Sequence, residues 1–272
     1  MIRFEPSRKR TSPVVLSVPH SGLEIPVERG DLRALPENVF LRDVDFEVPR
    51  LWAEAAYELD IPFVVARTHR YAIDLNRRDD EIDVRSVEGH PAPAGTHPRG
   101  LFWIESTQGE PVLSRPLSQR SYRMLVDFVW KPYRDLLRVE LEETRRKFGF
   151  AILIDGHSMP SQGTGYHADP NQVRADIVPG DALGKSCDPR ITAMAVATAE
   201  AAGLSIKPND PYKGGNITQS FGRPADRIHA LQIEMNRGIY MDEGAFILNP
   251  DGVKHLQNFA KSFLTQVTRF KP

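Results

Sequence analysis

The chain is poor in three things, and each shortage removes a class of explanation. Cysteine occurs once, at Cys187, so no intrachain disulfide can form and a reducing compartment is expected. No run of apolar residues approaches the ~20 needed to cross a bilayer. The opening Met1-Ile2-Arg3-Phe4-Glu5-Pro6 lacks the apolar segment of a secretory signal, so a cytoplasmic protein that makes no use of a membrane is the expectation. Net charge is nearly absent too: 35 basic residues face 36 acidic ones, and nothing points to a nucleic-acid partner. What is present is 272 residues of short apolar runs punctuated by 22 prolines and 19 glycines, long enough for a substantial core.

Those runs alternate with helical patterns. Val14 to Val18, 61–66, the residues before His157, 204–206 and 228–235 read as strands, being short, apolar and rich in Val and Ile. Helices are expected over about 43–59, 119–148 (ending at Gly149), 189–202 and 250–268. Residues 68–118 read as a long irregular stretch dense in Pro, Gly, Arg and Asp, of the kind that often carries a binding site or lid. No repeat or linker interrupts the pattern, so one α/β domain spanning 1–272 is expected.

Two of the strands end in histidine motifs, Val18-Pro19-His20-Ser21-Gly22 and Ile154-Asp155-Gly156-His157-Ser158. In an open α/β sheet, ligands bind beyond the carboxyl ends of the strands, so His20 and His157 are placed to converge on one metal ion or proton-transfer site. A catalytic zinc also needs a third ligand, commonly a carboxylate. The Asp43-Val44-Asp45-Phe46-Glu47 turn offers three acids. If it is helical, Asp43 and Glu47 lie four apart on one face. Capping of the following helix is the plainer use of either. Glu24 is nearer His20 but sits in a turn that gives it no direction. Asp155, His69 and Asp176 leave room for a second ion.

Glu234 closes the apolar strand 228–235, where a charge is costly unless paired or placed at the sheet edge. It is the candidate general base, with a strand-end ion pair to Arg237 as the alternative. Arg67 to Arg78 is the densest cationic segment and suggests an acidic small-molecule substrate, because guanidinium forks bind carboxylates bidentately. Lys213-Gly214-Gly215-Asn216 lets backbone approach a ligand but lacks the spacing of a phosphate loop. Cys187 lies on no element that would present it as a nucleophile.

Together these segments resemble the N-formylglutamate amidohydrolase family. The motifs that carry the resemblance are Val18-Pro19-His20-Ser21-Gly22, Asp43-Val44-Asp45-Phe46, Arg70-Tyr71-Ala72-Ile73-Asp74-Leu75-Asn76-Arg77 and Asp155-Gly156-His157-Ser158. Gly180-Asp181, Lys185-Ser186-Cys187, Lys213-Gly214-Gly215 and His229 to Glu234 complete them in order along nearly the whole chain. The resemblance implies a mixed, mostly parallel sheet like that of the zinc carboxypeptidases and aspartoacylases. It implies hydrolysis of N-formyl-L-glutamate to formate and L-glutamate, a late step in one route of histidine breakdown, with one divalent ion, zinc, as cofactor. By motif, His20 and His157 would be metal ligands with an acid of the 43–47 turn, Glu47 and Asp43 ahead of Asp45. Asn76 and Arg77 would grip the substrate carboxylate, Arg70 would polarise the scissile carbonyl, and Glu234 would be the base. One departure is that the metallopeptidase glutamate three residues after the first histidine is here Leu23. Two other readings stay open: a related zinc amidase for another N-acyl acidic amino acid, and a non-catalytic protein that binds acidic metabolites.

Overall fold

The computed structural model describes residues 1–90, 97–165 and 167–272. Six strands form one sheet in the order β1-β3-β2-β4-β6-β5. They are β1 (Ile2–Glu5), β2 (Val14–Val18), β3 (Phe63–Ala66), β4 (Ala151–Met159), β5 (Ile177–Gly180) and β6 (Ile228–Asn236). β3, β2, β4 and β6 run parallel, and the edge strands β1 and β5 are antiparallel to their neighbours. The central strands are buried on both faces, which is why their sequences read as unbroken apolar runs.

Each face has its own core. Helices α2 (Val48–Glu58), α5 (Pro189–Ala201) and α8 (Pro250–Thr268) cover one, joined by the one-turn α7 (Arg237–Tyr240). In α8, Val253, Leu256, Phe259, Ala260, Phe263, Leu264 and Val267 recur every three or four residues and form the buried stripe. The other face lies under α4 (Lys131–Phe148), α6 (Asn216–Phe221) and parts of 73–87 and 101–117. The alternation of side chains puts Ile152 and Ile154 on the first face, and Ala151, Leu153, Asp155 and His157 on the second. From β2 the chain builds β3 on one side and later β4 and β6 on the other. The switch of direction between β2 and β4 opens a crevice at their carboxyl ends.

Several elements differ from expectation. The helix expected at 43–59 is α2, which starts only at Val48, and a separate short helix, α1 (Glu37–Arg42), precedes the acidic turn. Pro49 stands in the first turn of α2, where a missing N–H is tolerated, and Glu47 before it is left-handed at φ 58°. Asp43 and Glu47 therefore share no helix face. The 119–148 helix is α3 (Gln119–Leu125) running through one wide turn into α4, and it ends at Gly149 in the left-handed region, φ 80°. β4 continues past Asp155, so His157 lies within the strand and not after it. The stretch read as a strand at 204–206 makes only an isolated bridge, Ile206 to Ile177. β1, β5 and α6 were not anticipated. Outside 91–96, which lie beyond the described residues, the 68–118 stretch has no helix or extended strand, yet it buries Tyr71, Ile73, Leu101, Phe102 and Trp103.

Between Asp155 and His157, Gly156 faces the first core, where a Cβ would lie 2.7 Å from Nε1 of the fully buried Trp52. Gly156→Ala is expected to lower stability by ~1–3 kcal/mol through overpacking, read as a shift of the urea midpoint. An unchanged midpoint would show that Trp52 can give way.

Candidate active site

His20 follows β2, and Asp45 is tied to it by a backbone bond from Asp45 N to His20 O (3.0 Å). This brings the turn after α1 over the end of β4. Asp45 Oδ2 lies 3.0 Å from His157 Nδ1 and 3.7 Å from His20 Nδ1, and the two imidazoles meet edge to face at 4.9 Å. The three side chains are buried, with one ligand atom of each within 4.8 Å of the others. Two imidazole nitrogens and a carboxylate oxygen are the donor set of a metal site with an open position, so the residues present fit a divalent ion.

The far nitrogens support that fit. His20 Nε2 is 2.7 Å from Asp74 Oδ1, and His157 Nε2 is 3.0 Å from Asp155 Oδ2. Carboxylates in this position fix ring orientation and leave Nδ1 of each ring free to ligate. Asp155 accepts a further bond from Ser17 Oγ at 2.7 Å, and Asp74 accepts from Trp103 Nε1 at 3.0 Å and Asn76 N at 2.8 Å. Asp45 is held through its second oxygen by Ser158 Oγ at 3.2 Å and Arg237 Nη2 at 3.3 Å. Burial would raise the Asp45 carboxyl, but hydrogen bonds from His157 and His20 outweigh it and keep the group well below its ordinary range. For His157 burial works against the proton, and Asp155 and Asp45 overcome it and raise the ring.

The other two acids of the turn do other work. Asp43 accepts from Tyr71 OH at 2.5 Å, Thr107 N at 3.0 Å and the Thr107 hydroxyl. Glu47 sits half-buried at the head of α2 and is outside the cluster. The geometry thus brings Asp45 to the histidines in place of Glu47 and Asp43. His69 is a packing residue that bonds Phe40 O and Tyr71 N, and burial lowers its pKa to about 4. Asp176 binds Ser205, and the Cys187 thiol is buried and pushed up to about 12.

Glu234 stands beside His157 as its register partner across β4 and β6. Burial lifts its carboxyl to about 7 against the lowering effect of His157, and Gln232 Nε2 donates to Oε1 at 2.8 Å. The anticipated ion pair to Arg237 is not made, since that guanidinium serves Asp45 and Ser158. Arg70 binds Asp43 O at 2.9 Å and Asp74 Oδ2 at 3.0 Å and stacks on Trp103. Burial opposes its charge, but Asp74, Asp45 and Asp43 keep it protonated. Asn76 accepts from Ile217 N at 2.6 Å and places Nδ2 3.4 Å from His157 Nε2. Arg77 is half-buried on the same wall. His20, Asp45, His157, Glu234, Arg70 and Arg77 all line one cavity of about 460 Å³. Sequence reasoning passed over Asp74 and Arg237 as site residues. Asp155 carried a signal, since two residues before His157 on a strand is the same face.

An α/β sheet with a buried His–Asp–His group and an elevated acid at its carboxyl edge defines a hydrolase-type site able to hold a metal. The comparisons narrow the class. Residues 12–241 match the model of the N-formylglutamate amidohydrolase family, and the chain belongs to that family. It is 35% identical over 239 residues to an N-formylglutamate deformylase of Pseudomonas putida, covering 85% of this chain and 82% of the relative. A Pseudomonas aeruginosa N-formylglutamate deformylase is 34% identical over 86% of this chain and 84% of its own length. The crystal structure of an N-formylglutamate amidohydrolase from Ralstonia eutropha superposes with a TM-score of 0.88 at 27% identity, over 98% of this chain and 96% of that one.

Asp74→Asn is expected to weaken zinc binding by ~10–100-fold in a competition titration, because it loosens His20 without removing a ligand. Unchanged affinity would leave Asp74 no part in orienting the ring.

Proposed function

We propose that this chain hydrolyses N-formyl-L-glutamate to formate and L-glutamate, as a cytoplasmic step of histidine degradation. The observation that carries the reading is the His20–Asp45–His157 group beside Glu234 in a chain that belongs to this family. The cofactor is one divalent ion, zinc, held by those three residues. When bound, it supplies Lewis acidity, lowering the pKa of water towards ~7 and polarising the formyl carbonyl.

Glu234 is the general base. Buried and lifted to about 7, it can take the proton of the attacking water and return it to the leaving amine. Water oxygen joins the formyl carbon, the C–N bond breaks, and the amine leaves as glutamate. Arg70 lines the cavity with its guanidinium kept charged by Asp74, and that charge stabilises the carbonyl oxygen as negative charge develops there. Asn76 and Arg77 hold a substrate carboxylate, with Asn76 itself steadied by Ile217 N. The formyl group is small, so positioning falls to the glutamate end.

Formate release from N-formyl-L-glutamate by metal-stripped protein, before and after zinc reloading, tests the reading. Zinc-dependent release is expected. No release from folded, zinc-loaded protein would contradict it and turn attention to other N-acyl acidic amino acids. Glu234→Gln should lower kcat by ~10²–10⁴-fold with little change in KM. Arg77→Ala should act mainly through KM, and equal losses in kcat and KM would count against a pure binding role.

A further inference from the structure

Five long cationic side chains line the cavity: Arg70, Arg77, Arg99, Lys213 and Arg237. Three are already engaged. Arg70 holds Asp74 and Asp43 O, Arg237 holds Asp45 and Ser158, and Arg99 holds Glu105 and Ser106 O. Among the described residues, the Arg77 guanidinium and the Lys213 ammonium make no hydrogen bond or ion pair. They come from different segments, yet those segments are locked together. Ile217 N donates to Asn76 Oδ1, and Gly215 lies so close to Asn76 that a Cβ there would meet Nδ2 at 2.2 Å.

The loop that carries Lys213 is fixed as well. Gly215 N donates to Gln232 Oε1 at 2.7 Å, Ala182 N donates to Lys213 O at 2.6 Å, and Gly214 N would stand 2.5 Å from a Cβ on Gly180. Lys213 is thus an exposed cation on a rigid rim, next to a wall that ends in Arg77. The acids of the same cavity, Asp43, Asp45, Asp74 and Glu234, are all buried and form its floor, below the exposed Lys213 and half-buried Arg77. A ligand with a neutral amide and two carboxylates matches this division, its amide towards the floor and its charges towards the rim.

We infer that Lys213 is the specificity-determining residue for the second carboxylate of the substrate, so that the cavity selects N-acyl amino acids with acidic side chains. The inference rests on the deformylase reading and deepens it. Asn76, with its amide 3.4 Å from His157, places the carboxylate shared with Arg77 near the reacting centre, which suits the α-carboxylate. The side-chain carboxylate lies farther out, within reach of the flexible lysine stem.

The test compares kcat/KM for N-formyl-L-glutamate and N-formyl-L-glutamine, which differ only in the side-chain charge, in the wild-type chain, Lys213→Met and Lys213→Arg. The ratio of glutamate to glutamine substrate should fall about 10–100-fold in Lys213→Met, the effect of one charge-assisted contact, and recover in Lys213→Arg. An unchanged ratio, or equal losses on both substrates, would overturn the inference. Calorimetric binding of glutarate and butyrate gives a readout independent of turnover: the wild-type chain should prefer glutarate and Lys213→Met should lose the preference. If the wild-type chain cleaves neither formyl substrate, the deformylase reading fails by itself. Glutarate binding that is as tight in Lys213→Met as in wild type would then still refute the role of Lys213.

Discussion

The site depends on holding three carboxyl groups, those of Asp45, Asp74 and Asp155, out of water. A buried carboxylate is costly unless it is paired and its oxygens are bonded. Here each is answered by name: Asp45 by His157, Ser158 and Arg237, Asp74 by His20, Arg70 and Trp103, and Asp155 by His157 and Ser17. The two imidazoles lie between carboxylates, with the far nitrogen of each occupied and the near nitrogen turned to Asp45. Such a donor set fits a divalent metal ion. Glu234 is the exception. It has burial without a full set of partners, and that elevates its carboxyl.

Sheet topology delivers these groups. Parallel pairing sets His157 beside Glu234, and Ser17 beside Asp155, on adjacent strands. The crevice between β2 and β4 admits the turn after α1, which supplies Asp45. Residues 74–77, in the irregular stretch after β3, supply Asp74, Asn76 and Arg77, and Trp103 donates to Asp74 from farther along the chain.

Much of this was legible in the sequence. Strands that bury both faces announce themselves as apolar runs, and a histidine at the end of two of them marks the sheet edge. Glu234 stood out because a charge in such a strand needs a reason. The choice among Asp43, Asp45 and Glu47 was not legible, because three acids within five residues share one chemistry. Asp45 rather than the other two is set beside the histidines because Pro49 delays the helix and because Tyr71 and Thr107 take Asp43 from far along the chain. β1 and β5 were missed for a similar reason. Four-residue edge strands carry too little pattern of their own and exist through pairing with β3 and β6.

The proposed metal ligands are His20, His157 and Asp45. The direct measurement is zinc titration of metal-stripped wild-type protein, Asp45→Asn and Glu47→Gln, with X-ray absorption to count imidazole ligands. The expected result is one zinc per chain with two imidazoles, binding that is lost or greatly weakened in Asp45→Asn, and Glu47→Gln indistinguishable from wild type. Zinc binding that survives Asp45→Asn and fails in Glu47→Gln would contradict it.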